Sequence, residues 1–156
     1  MPDLYELQRQ ARSYPGYLLK RGGTALSLFA AGYWGWNDCI HFLRHNMACD
    51  CVDINAKKLE EMRGLYPETW TFTTADAWSF AKEAAIQGRT WDVVSIDTFL
   101  GDATQRSIDS LAMWSMLADQ MVTVTVPLKA DIKPPPGWTS FMFPRSPRAA
   151  WMVLQR

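Results

Sequence analysis

Ala25-Leu26-Ser27-Leu28-Phe29-Ala30-Ala31-Gly32-Tyr33-Trp34-Gly35 is an apolar strand that runs into a glycine-bearing turn. A second apolar run, beginning at Ala48, reaches Asp53 about twenty positions beyond that turn. The pair reads as the nucleoside-binding half of an α/β sheet. Small residues in such a turn let backbone N–H groups approach a ligand closely. An acidic side chain at the tip of the next strand accepts hydrogen bonds from ribose hydroxyls.

Working outward, residues 1–20 carry Leu4, Leu7, Ala11 and Tyr14 at helical spacing, with Asp3 as N-cap and Pro15-Gly16 as a stop. After the turn, a helix capped by Asn37 or Asp38 aligns Ile40, Leu43 and Met47 on one face. The strand Ala48 to Ile54 leads into a helix built on Leu59 and Met62 that ends near Gly64. Trp70 to Thr74 alternates as a strand, and Asp76 caps an alanine-rich helix that runs to Gln87 and stops at Gly88. Trp91 to Ile96 is the strongest buried-strand pattern; it ends on Asp97, before a turn through Gly101 and Asp102. A helix with Ile108, Leu111, Ala112 and Ser115 on one side precedes the β-branched strand Met121 to Val126.

Five strands alternating with helices require crossovers of helical length, so the fold class is α/β, with a mostly parallel twisted sheet covered on both faces. Residues 127–138 contain Pro134-Pro135-Pro136-Gly137, a stiff extended connection. Residues 139–156 then read as a C-terminal β-hairpin, with strands Thr139 to Phe143 and Ala150 to Leu154. A chain of 156 residues with 48% apolar content makes one domain, 1–156, with one sizeable core.

Sixteen basic and 16 acidic residues give zero formal net charge, which exerts no general pull toward nucleic acid or an anionic membrane. A nucleic-acid partner would have to be recognised through Arg9, Arg12, Lys20 and Arg21 together with Arg145, Arg148 and Arg156, if the two ends meet. Cys39, Cys49 and Cys51 lack the spacing of zinc ligands or of a disulfide framework. They read as small core residues in a reducing compartment, with no metal, and Cys49 and Cys51 share one strand face. No stretch is long enough to cross a bilayer, and Met1 to Lys20 lacks the apolar segment of a secretion signal, so a cytoplasmic location is expected.

The four motifs in order resemble the class I S-adenosylmethionine-dependent methyltransferase fold, with spermidine-synthase-like proteins as a related branch. They are Leu26 to Gly35 after the first strand, Val52-Asp53-Ile54-Asn55 after the second, Ala75-Asp76-Ala77-Trp78 after the third and Ser95-Ile96-Asp97 after the fourth. The resemblance implies a Rossmann-like sandwich, S-adenosylmethionine as cofactor and an unidentified methyl acceptor. It further implies that Ala31, Gly32 and Gly35 face the methionine part, that Asp53 and Ile54 hold the ribose, and that Asp76, Ala77 and Trp78 border the adenine. Asp97 completes the cofactor side. Ser27 stands where the family often has an acid, and Asp97-Thr98-Phe99-Leu100 is not the tetrapeptide of methylases that act on exocyclic base amines.

Methyl transfer from a sulfonium is an in-line displacement, accelerated chiefly by holding nucleophile and methyl carbon at contact distance. A hydroxyl or ammonium acceptor also needs a base, and Asp97 or Asp102 at the sheet edge is placed for that role. A methyltransferase-like binding or scaffold subunit that has lost efficient catalysis is the alternative. A nicotinamide enzyme fits less well, because Ala30 replaces the first glycine of its fingerprint. His41 and His45, one helical turn apart, have no third ligand at matching spacing and read as a polar helix face. The eight tryptophans serve core packing, burial in a homo-oligomer, or stacking of an aromatic acceptor.

Overall fold

Strand β1 (Thr24–Leu28) turns Leu26 and Leu28 to one face of the sheet and Ala25 and Ser27 to the other, and this two-residue period divides the core into two layers. The computed structural model describes residues 3–98 and 101–156. Phe99 and Leu100, within the tetrapeptide that follows the fourth strand, therefore lie outside the described residues.

The elements follow in the order α1 (Leu4–Arg12), β1, α2 (Cys39–Arg44), β2 (Ala48–Asp53), α3 (Ala56–Arg63), β3 (Thr71–Thr74), α4 (Ala77–Ile86) and β4 (Trp91–Ile96). Then come α5 (Asp102–Asp109), α6 (Leu111–Leu117), β5 (Ala118–Pro127), β6 (Thr139–Pro144) and β7 (Ala149–Gln155). The seven strands form one sheet in the order β3-β2-β1-β4-β5-β7-β6. Strands β1 to β5 are parallel, and β7 runs antiparallel to both β5 and β6.

One layer packs α4 and α6 through Ala77, Ala81, Ala84, Leu111, Trp114 and Leu117 against Leu26, Leu28 and their neighbours. The other packs α2 and α3 through Cys39, Phe42, Leu59 and Met62, together with Tyr14 beyond α1. The second layer carries an uncommon row. Cys51, Ser27, Ser95 and Thr123 stand side by side on β2, β1, β4 and β5, all fully buried. Burying a polar group costs free energy that a hydrogen bond offsets. The Tyr14 hydroxyl bonds Thr123 Oγ1 at 3.1 Å, and the Ser27 hydroxyl donates to Asp38 Oδ2 at 2.8 Å. Asp38 thereby supplies, from the start of α2, the carboxyl that the residues of β1 lack.

Three elements depart from the sequence reading. The helix expected through Ile108 and Ser115 is two, α5 and α6, joined at Ser110, whose hydroxyl bonds back to the Arg106 carbonyl at 2.7 Å and competes with helix continuation. Helix α2 buries Cys39 and Phe42 rather than an Ile40–Leu43–Met47 stripe, because it ends at Arg44 and the chain turns through Asn46 at φ 52°. Strand β5 begins at Ala118, earlier than its β-branched run, since Trp91 already pairs with Ala118 before the register shifts. The hairpin lies where the alternating pattern placed it.

Candidate functional site

Parallel register carries the ends of the central strands to one edge. Leu28 pairs with Val52 on one side and Ile96 on the other, so the next residues, Phe29, Asp53 and Asp97, emerge as neighbours. Thr74, at the end of β3, pairs with Asp53 and brings Asp76 and Trp78 to the same edge. The switch point between β1 and β4, from which one crossover runs outward from β1 to β2 and another from β4 to β5, is the usual ligand position of an open α/β sheet.

Asp53 ties this edge together. Its Oδ2 accepts the Ala31 N–H at 3.0 Å and its Oδ1 the Asn55 N–H at 2.8 Å, while its carbonyl accepts the Ala75 N–H at 3.0 Å. A carboxylate has about four acceptor positions, so two remain for a ligand. Beside it Ile54 is 73% exposed, an apolar surface that the core does not use. Asp76 caps α4 by accepting the Ser79 N–H at 2.9 Å, and that bond holds its carboxyl below the ordinary carboxylate range. Ala77 is buried under α4. Half-buried Trp78 meets the Phe29 ring edge-on at 5.4 Å, donates its indole N–H to Ser110 Oγ at 3.1 Å and lies under the Arg106 guanidinium at 3.9 Å.

The turn itself is strained. Gly35 has φ 74°, and a Cβ there would sit 2.9 Å from Cys39 Cβ and 2.5 Å from the Met62 methyl, so only glycine fits. Gly32 is not left-handed; Phe29, Tyr33 and Trp34 are, at φ 61°, 49° and 53°. Non-glycine residues in that region cost of order 1 kcal/mol each. Three bonds fasten the turn against this cost: Ala31 N–H to Asp53, the Trp34 indole to Glu61 Oε2 at 2.7 Å, and the Tyr66 hydroxyl to the Gly35 carbonyl at 3.1 Å.

On the far side of the edge Asp97 is not open to solvent. Its Oδ1 accepts from the Arg145 guanidinium and its Oδ2 from the Asn37 amide at 3.2 Å, and both members of the ion pair are under 10% exposed. Arg145 also donates to Thr125 Oγ1 at 2.8 Å. Burial lifts the Asp97 carboxyl above its ordinary range although Arg145 pulls the other way. The expectation of a free base at Asp97 thus meets a carboxylate already occupied by a cation. Asp102, in the first turn of α5, is exposed. Asp38 lies deeper. It accepts the Cys39 N–H at 2.8 Å, and burial, reinforced by the neighbouring Cys39 and Asp97, raises its carboxyl well above the ordinary range.

The sequence reading gave Asn37 and Asp38 a capping role, Arg145 a place among the basic ends and Thr125 a strand position, and it missed that they gather around Asp97. Arg145 reaches Asp97 from 48 positions away, a distance over which no local pattern operates. The basic ends meet the rest of the fold at two opposite edges. Arg9, Arg145 and Arg148 line a cleft of about 290 Å³ beside the candidate site. Lys20, Arg21 and Arg156 line another of about 560 Å³ at the starts of the strands, where Asp92 and Asp119 balance them. His41 and His45 bond the Ala11 and His41 carbonyls. No helix among the described residues is long and apolar enough to cross a membrane.

No protein-family model and no curated protein sequence matches the chain. Solved structures do. Protein yhhF from Escherichia coli, assigned as a methyltransferase, superposes with a TM-score of 0.63 at 18% identity, over 86% of this chain and 75% of its own. A SAM-dependent methyltransferase from Agrobacterium tumefaciens gives 0.64 at 12% identity, over 98% of this chain and 61% of its own. SMU.776, described as a methyltransferase and solved in complex with SAH, gives 0.64 at 12% identity over 96% of this chain and 48% of its own. The chain therefore spans from about half to three quarters of these proteins' lengths. It has the class I methyltransferase fold.

Two outcomes follow from the buried charges. Replacing Arg145 by Met strands a buried carboxylate and lowers unfolding free energy by about 3–5 kcal/mol, whereas adding Asp97→Asn restores most of that loss. Urea denaturation of the two singles and the double measures both; equal losses in Arg145→Met and the double variant would contradict the pairing. For Asp38, only the native state holds the raised carboxyl, so the folded chain retains a proton that the unfolded chain gives up above the ordinary carboxylate range. Wild type should then lose stability relative to Asp38→Asn as pH rises, by at most ~1.4 kcal/mol per pH unit, until the native group ionises. A difference independent of pH between 4 and 8 would refute it.

Proposed function

We propose that the chain is an S-adenosylmethionine-dependent methyltransferase acting on a small or exposed acceptor. The observation that carries this reading is the convergence, at one sheet edge, of the Ala31–Gly35 turn, the partly free Asp53 carboxylate, exposed Ile54 and the Asp76–Trp78 corner. It is supported by the SAM and SAH named for structural neighbours of the same fold. When bound, the cofactor supplies an electrophilic methyl group on a sulfonium.

The protein's own residues bind and orient. The two unused acceptor positions of Asp53 take the ribose hydroxyls, Ile54 and Trp78 flank the adenine, and exposed Asp76 accepts from its amino group. The turn's backbone faces the methionine part. The acceptor enters from the cleft lined by Arg9, Tyr33, Thr98 and Arg148. Exposed Asp102, in the first turn of α5, takes its proton in this reading, while Asp97 holds Arg145. That buried pair also favours a second reading, a binding subunit that retains the nucleoside site and transfers the methyl group poorly or not at all.

Titration calorimetry with S-adenosylhomocysteine tests the nucleoside site. Wild type should bind, and Asp53→Ala should bind more weakly by about 1–3 kcal/mol through lost ribose hydrogen bonds. No heat with wild type at millimolar ligand would end the cofactor reading, and an unchanged affinity in Asp53→Ala would remove Asp53 from the site.

A further inference from the structure

Cys39 lies ten residues before Cys49, yet all three cysteines meet in space. Cys39 opens α2, and Cys49 and Cys51 alternate onto the same face of β2, beneath the Gly32–Gly35 turn. Their Sγ atoms all lie within 4.8 Å of one another, the Cys49–Cys51 pair at 3.7 Å, and the residues are at most 2% exposed. None is in a disulfide. A metal with sulfur bonds of ~2.3 Å holds its donors roughly 3.8–4.0 Å apart, so the cluster closes around an ion with shifts of under about 1 Å.

We propose that Cys39, Cys49 and Cys51 form a three-coordinate binding site for a soft monovalent d10 cation, with Cu(I) as its representative. Two arguments select this class. The donors are all sulfur, which favours soft ions over Mg, Ca or Mn. Among the described residues no fourth histidine, cysteine or carboxylate joins the group, whereas a structural zinc site needs four ligands.

Binding forms three Cu–S bonds and breaks the S–H bonds of the coordinating thiols, whose protons pass to buffer, and copper remains Cu(I). This site is independent of the cofactor reading, since none of its ligands is assigned to S-adenosylmethionine.

The test is an anaerobic titration of the full chain with Cu(I) against a chromophoric cuprous chelator, followed by X-ray absorption of the complex. One equivalent bound through three sulfur scatterers, insensitive to excess Zn(II), is the expected result, with stoichiometric binding lost in Cys51→Ser and in Cys39→Ser. Retention of binding in the triple Cys→Ser chain overturns the proposal. So does the absence of binding by wild type, displacement by Zn(II), or a shell containing nitrogen or oxygen in wild type. The wild-type spectrum decides the matter even if the serine variants fail to fold.

Discussion

Everything at the functional edge depends on β1 being hydrogen-bonded in parallel to β2 on one side and β4 on the other. Parallel register leaves no freedom in where the strands end. Once Leu28 is opposite Val52 and Ile96, the residues that follow them must emerge together, and the chain has placed a turn and two aspartates there. A one-residue slip of β2 would exchange the two core layers it faces, sending Cys49, Cys51 and Asp53 away from α2 and α3. Burial of Val52 and Leu28 at no measurable exposure makes that slip costly.

The two aspartates of this row do different work because their neighbours differ. Asp53 is half-buried and spends its carboxylate on backbone N–H groups, which hold a strained turn and still leave acceptor positions facing outward. Asp97 is enclosed, and a guanidinium from the β6–β7 turn takes the place that water or a substrate would have. The terminal hairpin is therefore part of the site's foundation. Its Arg145 reaches Asp97 and Thr125 together, linking β4, β5 and the hairpin turn through one cation.

Much of this architecture is written in local patterns. The period-two runs, the capping residues Asp3, Asp38 and Asp76 and the proline run mark the elements, and the end of each strand follows from them. The placement of Asp53 at the end of β2 and of Trp78 in the first turn of α4 was legible because both follow from local strand and capping patterns. Asp97's role was not, since it depends on Arg145, brought near only when β7 inserts between β5 and β6. The cysteines hid for the same reason: two share a strand, but the third arrives on α2 through the packing of that helix on the sheet. Left-handed Phe29, Tyr33 and Trp34 contradict what glycine placement suggests, because contacts with Trp78, Glu61 and α3 over-determine a conformation that local preference opposes.

The central claim is that one crevice, bounded by the turn after β1, Asp53 and Trp78, receives a nucleoside. A crystal of the protein grown with S-adenosylhomocysteine addresses it most directly. Density for the ribose against the Asp53 carboxylate and for the adenine between Ile54 and Trp78 is the predicted result. Ligand density at the opposite end of the sheet, among Lys20, Asp92 and Arg156, or ribose hydroxyls that make no contact with Asp53, would contradict the account.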